Sequence, residues 1–144
     1  MKIDIGSGKL IKSIEWVSLD PIHGKNEWKR LAQQTPWPTA TNSIEELNAS
    51  HVMEHIPAGN DRLAVMNEAH RVLIPGGTFT IVVPIMDGTW PAIADPTHVS
   101  FWVPESFKYF DHTLSASADY GILRWETESI AVTGYECRWV GKKP

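Results

Sequence analysis

A glycine turn stands almost at the start of this chain. Asp4-Ile5-Gly6-Ser7-Gly8 closes a short β-forming run, Lys2 to Ile5. A second β-rich run, Ile14 to Leu19, ends at Asp20. Further on, Arg71-Val72-Leu73-Ile74-Pro75-Gly76-Gly77 leads from a helical stretch into the β-rich segment Thr78 to Val83. Glycines let the backbone turn sharply and let a ligand approach without a Cβ in the way. Strands alternating with helices predict an open, mostly parallel α/β sheet. Such sheets bind ligands beyond the C-terminal ends of their strands, at a topological switch point. The glycine turn, Asp20 and Ser50-His51 all follow predicted strands, so they are candidates for one site.

Composition excludes several alternatives. The 144 residues suit one domain, 1–144, with a real core, and 42% hydrophobic content gives no sign of disorder. The net charge of -4 argues against a general phosphate-backbone binder. Lys142-Lys143 is the one basic cluster, so no strong nucleic-acid signature is present. A single cysteine, Cys137, forbids an intrachain disulfide and predicts a reducing, cytoplasmic setting. No signal-peptide core and no membrane-length apolar run is expected.

Periodicity assigns the remaining elements. Glu15 to Asp20 and Glu46 to Ser50 read as strands. Asn26 to Gln34 is predicted as a short helix and Thr35-Pro36-Trp37-Pro38 as extended. Leu63, Met66, Ala69 or His70, and Leu73 repeat at helical spacing, which predicts a helix over Asp61 to Leu73, stopped by Pro75-Gly76-Gly77. Thr78 to Pro84 is nearly all apolar or β-branched, as in a central strand. Residues 85–120 form a long insertion rich in proline and aromatics, with a short helix started by Pro104. Arg124 to Thr133 and Tyr135 to Val140 predict a terminal hairpin.

Three groups of residues carry candidate chemistry. Asp20 is placed to accept hydrogen bonds from two vicinal hydroxyls, or else to cap the turn before Pro21. His51-Val52-Met53-Glu54-His55 spells the inverted zinc-peptidase pattern, which needs both histidines on one helical face. Pro57 follows too closely for a long helix; capping of a turn by Glu54 and His55 is the plainer alternative. In Asp95-Pro96-Thr97-His98, the imidazole of His98 is suited to proton removal with Asp95 orienting it. The alternative is that Asp95 caps a turn and His98 packs on Trp102. Trp90, Phe101, Trp102, Phe107, Tyr109 and Phe110 form either a substrate wall or a satellite core.

Taken together, the glycine turn, Asp20, Ser50 to His55, Leu73 to Gly77 and Asp95 to Trp102 resemble a class I S-adenosylmethionine-dependent methyltransferase. The resemblance runs from Ile3 to about Val140 and implies a Rossmann-like three-layer sandwich with an antiparallel C-terminal strand. It implies S-adenosyl-L-methionine as cofactor, held by Asp4, Gly6, Ser7, Gly8, Asp20, Ser50 and His51. It implies methyl transfer to an oxygen or nitrogen of an unidentified acceptor, with His98 or His51 as base and no metal required.

Two departures from that pattern stand out. Asp4 to Asp20 is too short for a full strand-helix-strand crossover, so the first crossover helix is expected to be shortened or absent. The acidic residue that usually reaches the adenine is replaced by Leu31-Ala32-Gln33-Gln34, which leaves Gln33 or Gln34 as a substitute. A missing helix exposes part of one sheet face, and an apolar patch there implies a homodimer or a protein partner. A catalytically inactive scaffold of the same fold and a zinc hydrolase using His51, Glu54 and His55 are the alternatives.

Overall fold

A computed structural model describes residues 1–9, 12–88 and 90–144. Six strands form one mixed sheet: β1 (Lys2–Ile5), β2 (Trp16–Leu19), β3 (Ile44–Ser50), β4 (Leu73–Pro84), β5 (Glu126–Thr133) and β6 (Glu136–Lys142). Their order across the sheet is β2-β1-β3-β4-β6-β5. The first four run parallel, β6 pairs antiparallel with β4, and β5 pairs antiparallel with β6. The terminal hairpin is therefore present, and its second strand docks first. The α/β class and the mostly parallel sheet agree with the sequence reading.

Register explains how one face of this sheet became the core. Leu19, Ile5, Ala49 and Ile81 align across β2, β1, β3 and β4, and Trp139 of β6 continues the row. One step earlier lie Val17, Ile3, Leu47 and Phe79. Apart from Val17, which is half-buried, all of these are buried. Side chains alternate between faces along a strand, so one apolar row in each strand defines one buried face. Helix α1 (Asn60–Val72) covers it with Val65, Met66, Ala69 and Val72, all buried in the same hydrophobic cluster.

The opposite face is different. It carries Lys2, Asp4, Glu46, Asn48, Thr78 and Thr80 in the alternate register. Lys2 Nζ lies 2.7 Å from Glu46 Oε1, and Asn48 Nδ2 donates to Asp4 Oδ1 at 2.6 Å. Over this face the crossover from β1 to β2 sends Lys12, whose Nζ is 3.9 Å from Asp4 and 4.5 Å from the Trp16 ring centroid. The second helical layer of a full three-layer sandwich is thinned here to that crossover. The helical turn expected after Lys9 falls partly on residues 10 and 11, outside the described residues. The uncovered face is thus mainly polar, with Trp16, Val82 and Val140 among its apolar members.

Two further elements differ from expectation. The helix predicted over Asn26 to Gln34 is a single 3-10 turn, Asn26–Trp28, followed by irregular chain. Trp28 accepts at its carbonyl from Asp20 N and Arg30 N, so local turns consume the bonds a helix would use. Strand β4 starts at Leu73 rather than Thr78 and takes in Pro75-Gly76-Gly77, with a register shift against β3 at Ile44/Glu46. The aromatics of the 85–120 segment divide. Trp102, Phe107 and Phe110 are buried in the main core, whereas Trp90, Phe101 and Tyr109 are exposed. Stacking runs from Trp102 to Phe107 (5.1 Å) and on to Trp139 of β6 (4.9 Å). This segment also carries the short helix α2 (Pro91–Ala94) and the 3-10 helix Pro104–Tyr109.

Candidate functional site

The C-terminal ends of β1, β2 and β3 open on a cavity of about 240 Å³. Its apolar lining comes chiefly from Ile5, Leu19, Leu31, Ala32 and Ile56, and its polar lining from Asp20, Gln33, His51 and His55. Gly6 completes the rim; its φ of 62° is left-handed, and a Cβ there would lie 2.4 Å from Val52 Cγ2. Glycine is therefore required at position 6 both by the turn and by the packing of Val52. Sequence reasoning singled out Gly6, Asp20, Gln33 and His51 separately, and the fold brings them to one place. It missed the apolar lining, which carries no motif.

Asp20 is buried, and both its oxygens are engaged. Oδ1 accepts the N–H groups of Ile22 (2.8 Å) and His23 (2.7 Å), and Oδ2 accepts that of Gly8 (3.1 Å). Burial acts against the charged form. The three backbone donors and nearby His23 outweigh it and hold the carboxyl below the usual carboxylate range. Asp20 caps its turn, as one of the two sequence readings has it, and it also lines the cavity. Oδ2 keeps acceptor capacity for a ligand hydroxyl.

Other expected residues lie elsewhere. Asp4, Ser7 and Ser50 line a separate depression with Lys12 and Asn48, and Gly6 borders both. Asp4 is buried, and burial pushes its carboxyl upward against the opposing effects of Asn48 and Lys12. Gly8 reaches the site through its N–H to Asp20.

His51 follows β3 in a left-handed conformation, φ 55°, with its side chain 44% exposed. Its Nε2 sits 2.6 Å from Glu136 Oε1 of β6, and its Nδ1 is 3.3 Å from Glu54 Oε1. His55 belongs to a separate 3-10 turn, Met53–His55. The helix that the inverted zinc-peptidase pattern needs is absent from this segment, because His51 is not in helical conformation.

His98 and Asp95 do not line the cavity; they lie behind its wall. The His98 side chain is 9% exposed and meets the His55 ring edge-on, 4.8 Å between centroids. Its Nδ1 donates to Ala92 O at 2.9 Å, and its Nε2 is 3.7 Å from Asp95 Oδ2. Asp95 caps its own turn by accepting from Thr97 N (2.8 Å) and Thr97 Oγ1 (2.6 Å). That side-chain bond leads the influences holding its carboxyl below the usual range.

Residues 22–81 match the family described as the methyltransferase domain. They include Gln33, Ser50 to His55, α1 and most of β4. A methyltransferase dependent on S-adenosylmethionine, from Archaeoglobus fulgidus, superposes with a TM-score of 0.67. It is 15% identical, over 99% of this chain and 85% of its own.

The chain has the fold of the class I S-adenosylmethionine-dependent methyltransferases.

A chain from the complex of the Haloferax volcanii Trm112 methyltransferase activator with a putative methyltransferase has a TM-score of 0.65 and 14% identity. Coverage there is 99% of this chain and 81% of the other. A Burkholderia thailandensis 1,6-didemethyltoxoflavin-N1-methyltransferase, solved with bound 1,6-didemethyltoxoflavin and S-adenosylhomocysteine, gives a TM-score of 0.64 at 13% identity, covering 99% of this chain and 70% of the other. No curated protein matches the chain by sequence. Among the described residues, no helix is long and apolar enough to cross a membrane.

Proposed function

We propose that this chain binds S-adenosylmethionine in the cavity at the ends of β1, β2 and β3 and transfers its methyl group to an oxygen or nitrogen of an acceptor. The observation that carries this reading is the convergence of Gly6, Asp20 and Gln33, from three separate segments, on one cavity. The fit is best for an adenosine. Leu19, Leu31, Ala32 and Ile56 offer an apolar slot for a base, Gln33 an amide for its edge, and Asp20 Oδ2 an acceptor for a ribose hydroxyl. When bound, the cofactor supplies an electrophilic methyl group on a positively charged sulfur.

The chain's own contribution is positioning and proton removal. The apolar lining excludes water, and the Asp20 turn holds the ribose side in a fixed orientation, so the rate gain comes mainly from proximity. His51 faces the cavity and is partly exposed, which suits it to take a proton from the acceptor. Glu136, 2.6 Å from Nε2, orients the imidazole. His98 and Asp95, packed behind the wall, act on the shape of the site rather than on the acceptor. The single cysteine, Cys137, is free and buried, which supports a cytoplasmic setting.

Transfer of an isotopically labelled methyl group to a panel of hydroxyl and amine acceptors tests this. An active acceptor with a His51→Gln variant slowed in kcat by about 10²- to 10⁴-fold is expected. Formation of product at an unchanged rate in that variant removes His51 as the base.

A further inference from the structure

At the cavity wall, His55 and, behind it, Glu54 and His98 present one ligand atom each within 4.8 Å of one another. Glu54 is 2% exposed, and neither carboxylate oxygen has a hydrogen-bond donor among the described residues. A carboxylate in that position normally attracts a paired cation, because an uncompensated buried charge is costly. Its nearest basic contact, His51 Nδ1 at 3.3 Å, makes no hydrogen bond with it, and His51 Nε2 is closer to Glu136.

The two histidines are prepared in a matching way. His98 Nδ1 faces Ala92 O, which only accepts, so Nδ1 carries the hydrogen and Nε2 keeps its lone pair. His55 Nδ1 lies 3.2 Å from Thr97 O and 3.1 Å from Thr97 Oγ1. The Thr97 hydroxyl gives its own hydrogen to Asp95 Oδ1, so toward His55 it too accepts. His55 therefore also donates from Nδ1 and keeps a lone pair on Nε2. Metal-ligating histidines are held by this arrangement, the far N–H fixed on a carbonyl or other acceptor. Two imidazoles so prepared and a buried carboxylate without a hydrogen-bond donor thus lie side by side, one ligand atom of each within 4.8 Å of the others.

We infer that Glu54, His55 and His98 form a binding site for a divalent first-row transition ion, for which Zn2+ is the probe. Two imidazoles and one carboxylate suit such an ion and leave a fourth position open. Ligand distances of about 2.0–2.2 Å place neighbouring ligand atoms about 3.3 Å apart, so the three groups close in by up to about 1.5 Å on binding. Glu54 and His55 share one 3-10 turn, and His98 lies in the irregular segment packed against it. The site differs from the inverted zinc-peptidase triple, in which His51 takes the place of His98. It clips the loop carrying His98 to the turn after β3, where Val99 N and Ser100 N already donate to Glu54 O. The proposal stands independently of the cofactor, because metal binding is read without it.

The test is calorimetric titration of the metal-free full chain with Zn2+, followed by the visible spectrum of the Co2+ form. One equivalent is expected to bind and give tetrahedral Co2+ bands. Glu54→Gln and His98→Gln are each expected to weaken binding by at least about 100-fold, with far-UV circular dichroism confirming the fold. Retained circular dichroism in Glu54→Gln separates loss of binding from loss of structure. His51→Gln is expected to bind like the wild type. Absence of saturable uptake, uptake unchanged in both ligand variants, or loss confined to His51→Gln overturns the assignment.

Discussion

The carboxylate of Asp20 accepts the backbone N–H of Gly8 at 3.1 Å, which ties the end of the second strand to the glycine turn after the first. The same carboxylate holds Ile22 N and His23 N. Asp20→Ala strands three donors and is expected to lower stability by about 2–4 kcal/mol in urea unfolding. Asp20→Asn keeps one acceptor oxygen and is expected to lose less.

Acid should reach this turn and one ion pair together. Glu68 is buried on α1; its Oε1 accepts Trp37 N at 2.6 Å, and both its oxygens accept from Arg71. Burial opposes its charge, but Arg71 and Trp37 N–H prevail and hold it below the usual range, as the backbone donors do for Asp20. Both groups bind protons more readily unfolded than folded. Their stabilisation is complete above the ordinary carboxylate pKa, about 4, and is lost as pH falls through the folded values. Urea midpoints measured across the acid range should drop steeply in the wild type. An Asp20→Asn, Glu68→Gln double variant should show a flatter limb.

Asp4 has the opposite sign. Burial raises its carboxyl, so the folded state binds the proton more tightly and the charge costs stability once pH exceeds the folded value. Asp4→Asn keeps an acceptor for Asn48 and should be neutral or mildly stabilising at pH 7. Thermal unfolding at pH 7 checks it, and a fall in midpoint would refute the sign.

Gly141 lies against the ring of Trp139, where a Cβ would come within 2.0 Å of Cη2. Gly141→Ala must push that ring off the stack it makes with Phe107, and a loss of about 1–3 kcal/mol is expected from overpacking. Trp139→Ala should cost more, about 3–5 kcal/mol, because it opens the core beneath the 85–120 segment. Tryptophan fluorescence and urea midpoints report both.

The strands, α1 and the terminal hairpin were legible because their patterns are local. Thr78 to Pro84 reads as a buried strand from its own composition, and the Leu63/Met66/Ala69 spacing as a helix. The segment after Asp20 was not legible, because turn bonds at Trp28 O and Asp20 override helical spacing. The polarity of the uncovered face was written in Lys2, Asp4, Glu46 and Asn48, but reading it required the register that pairs them across β1 and β3. Gly6, Asp20 and His51 were visible as candidates because each follows a strand. Glu54 was visible only as part of a motif; its unpartnered state and its neighbour His98, 44 residues away, are products of the fold.

Calorimetric titration of the purified chain with S-adenosylmethionine and S-adenosylhomocysteine tests the central claim most directly. The account predicts saturable micromolar binding of both, weakened in a folded Asp20→Asn variant. Absence of binding at millimolar ligand would contradict it and would leave the fold as a scaffold without its cofactor.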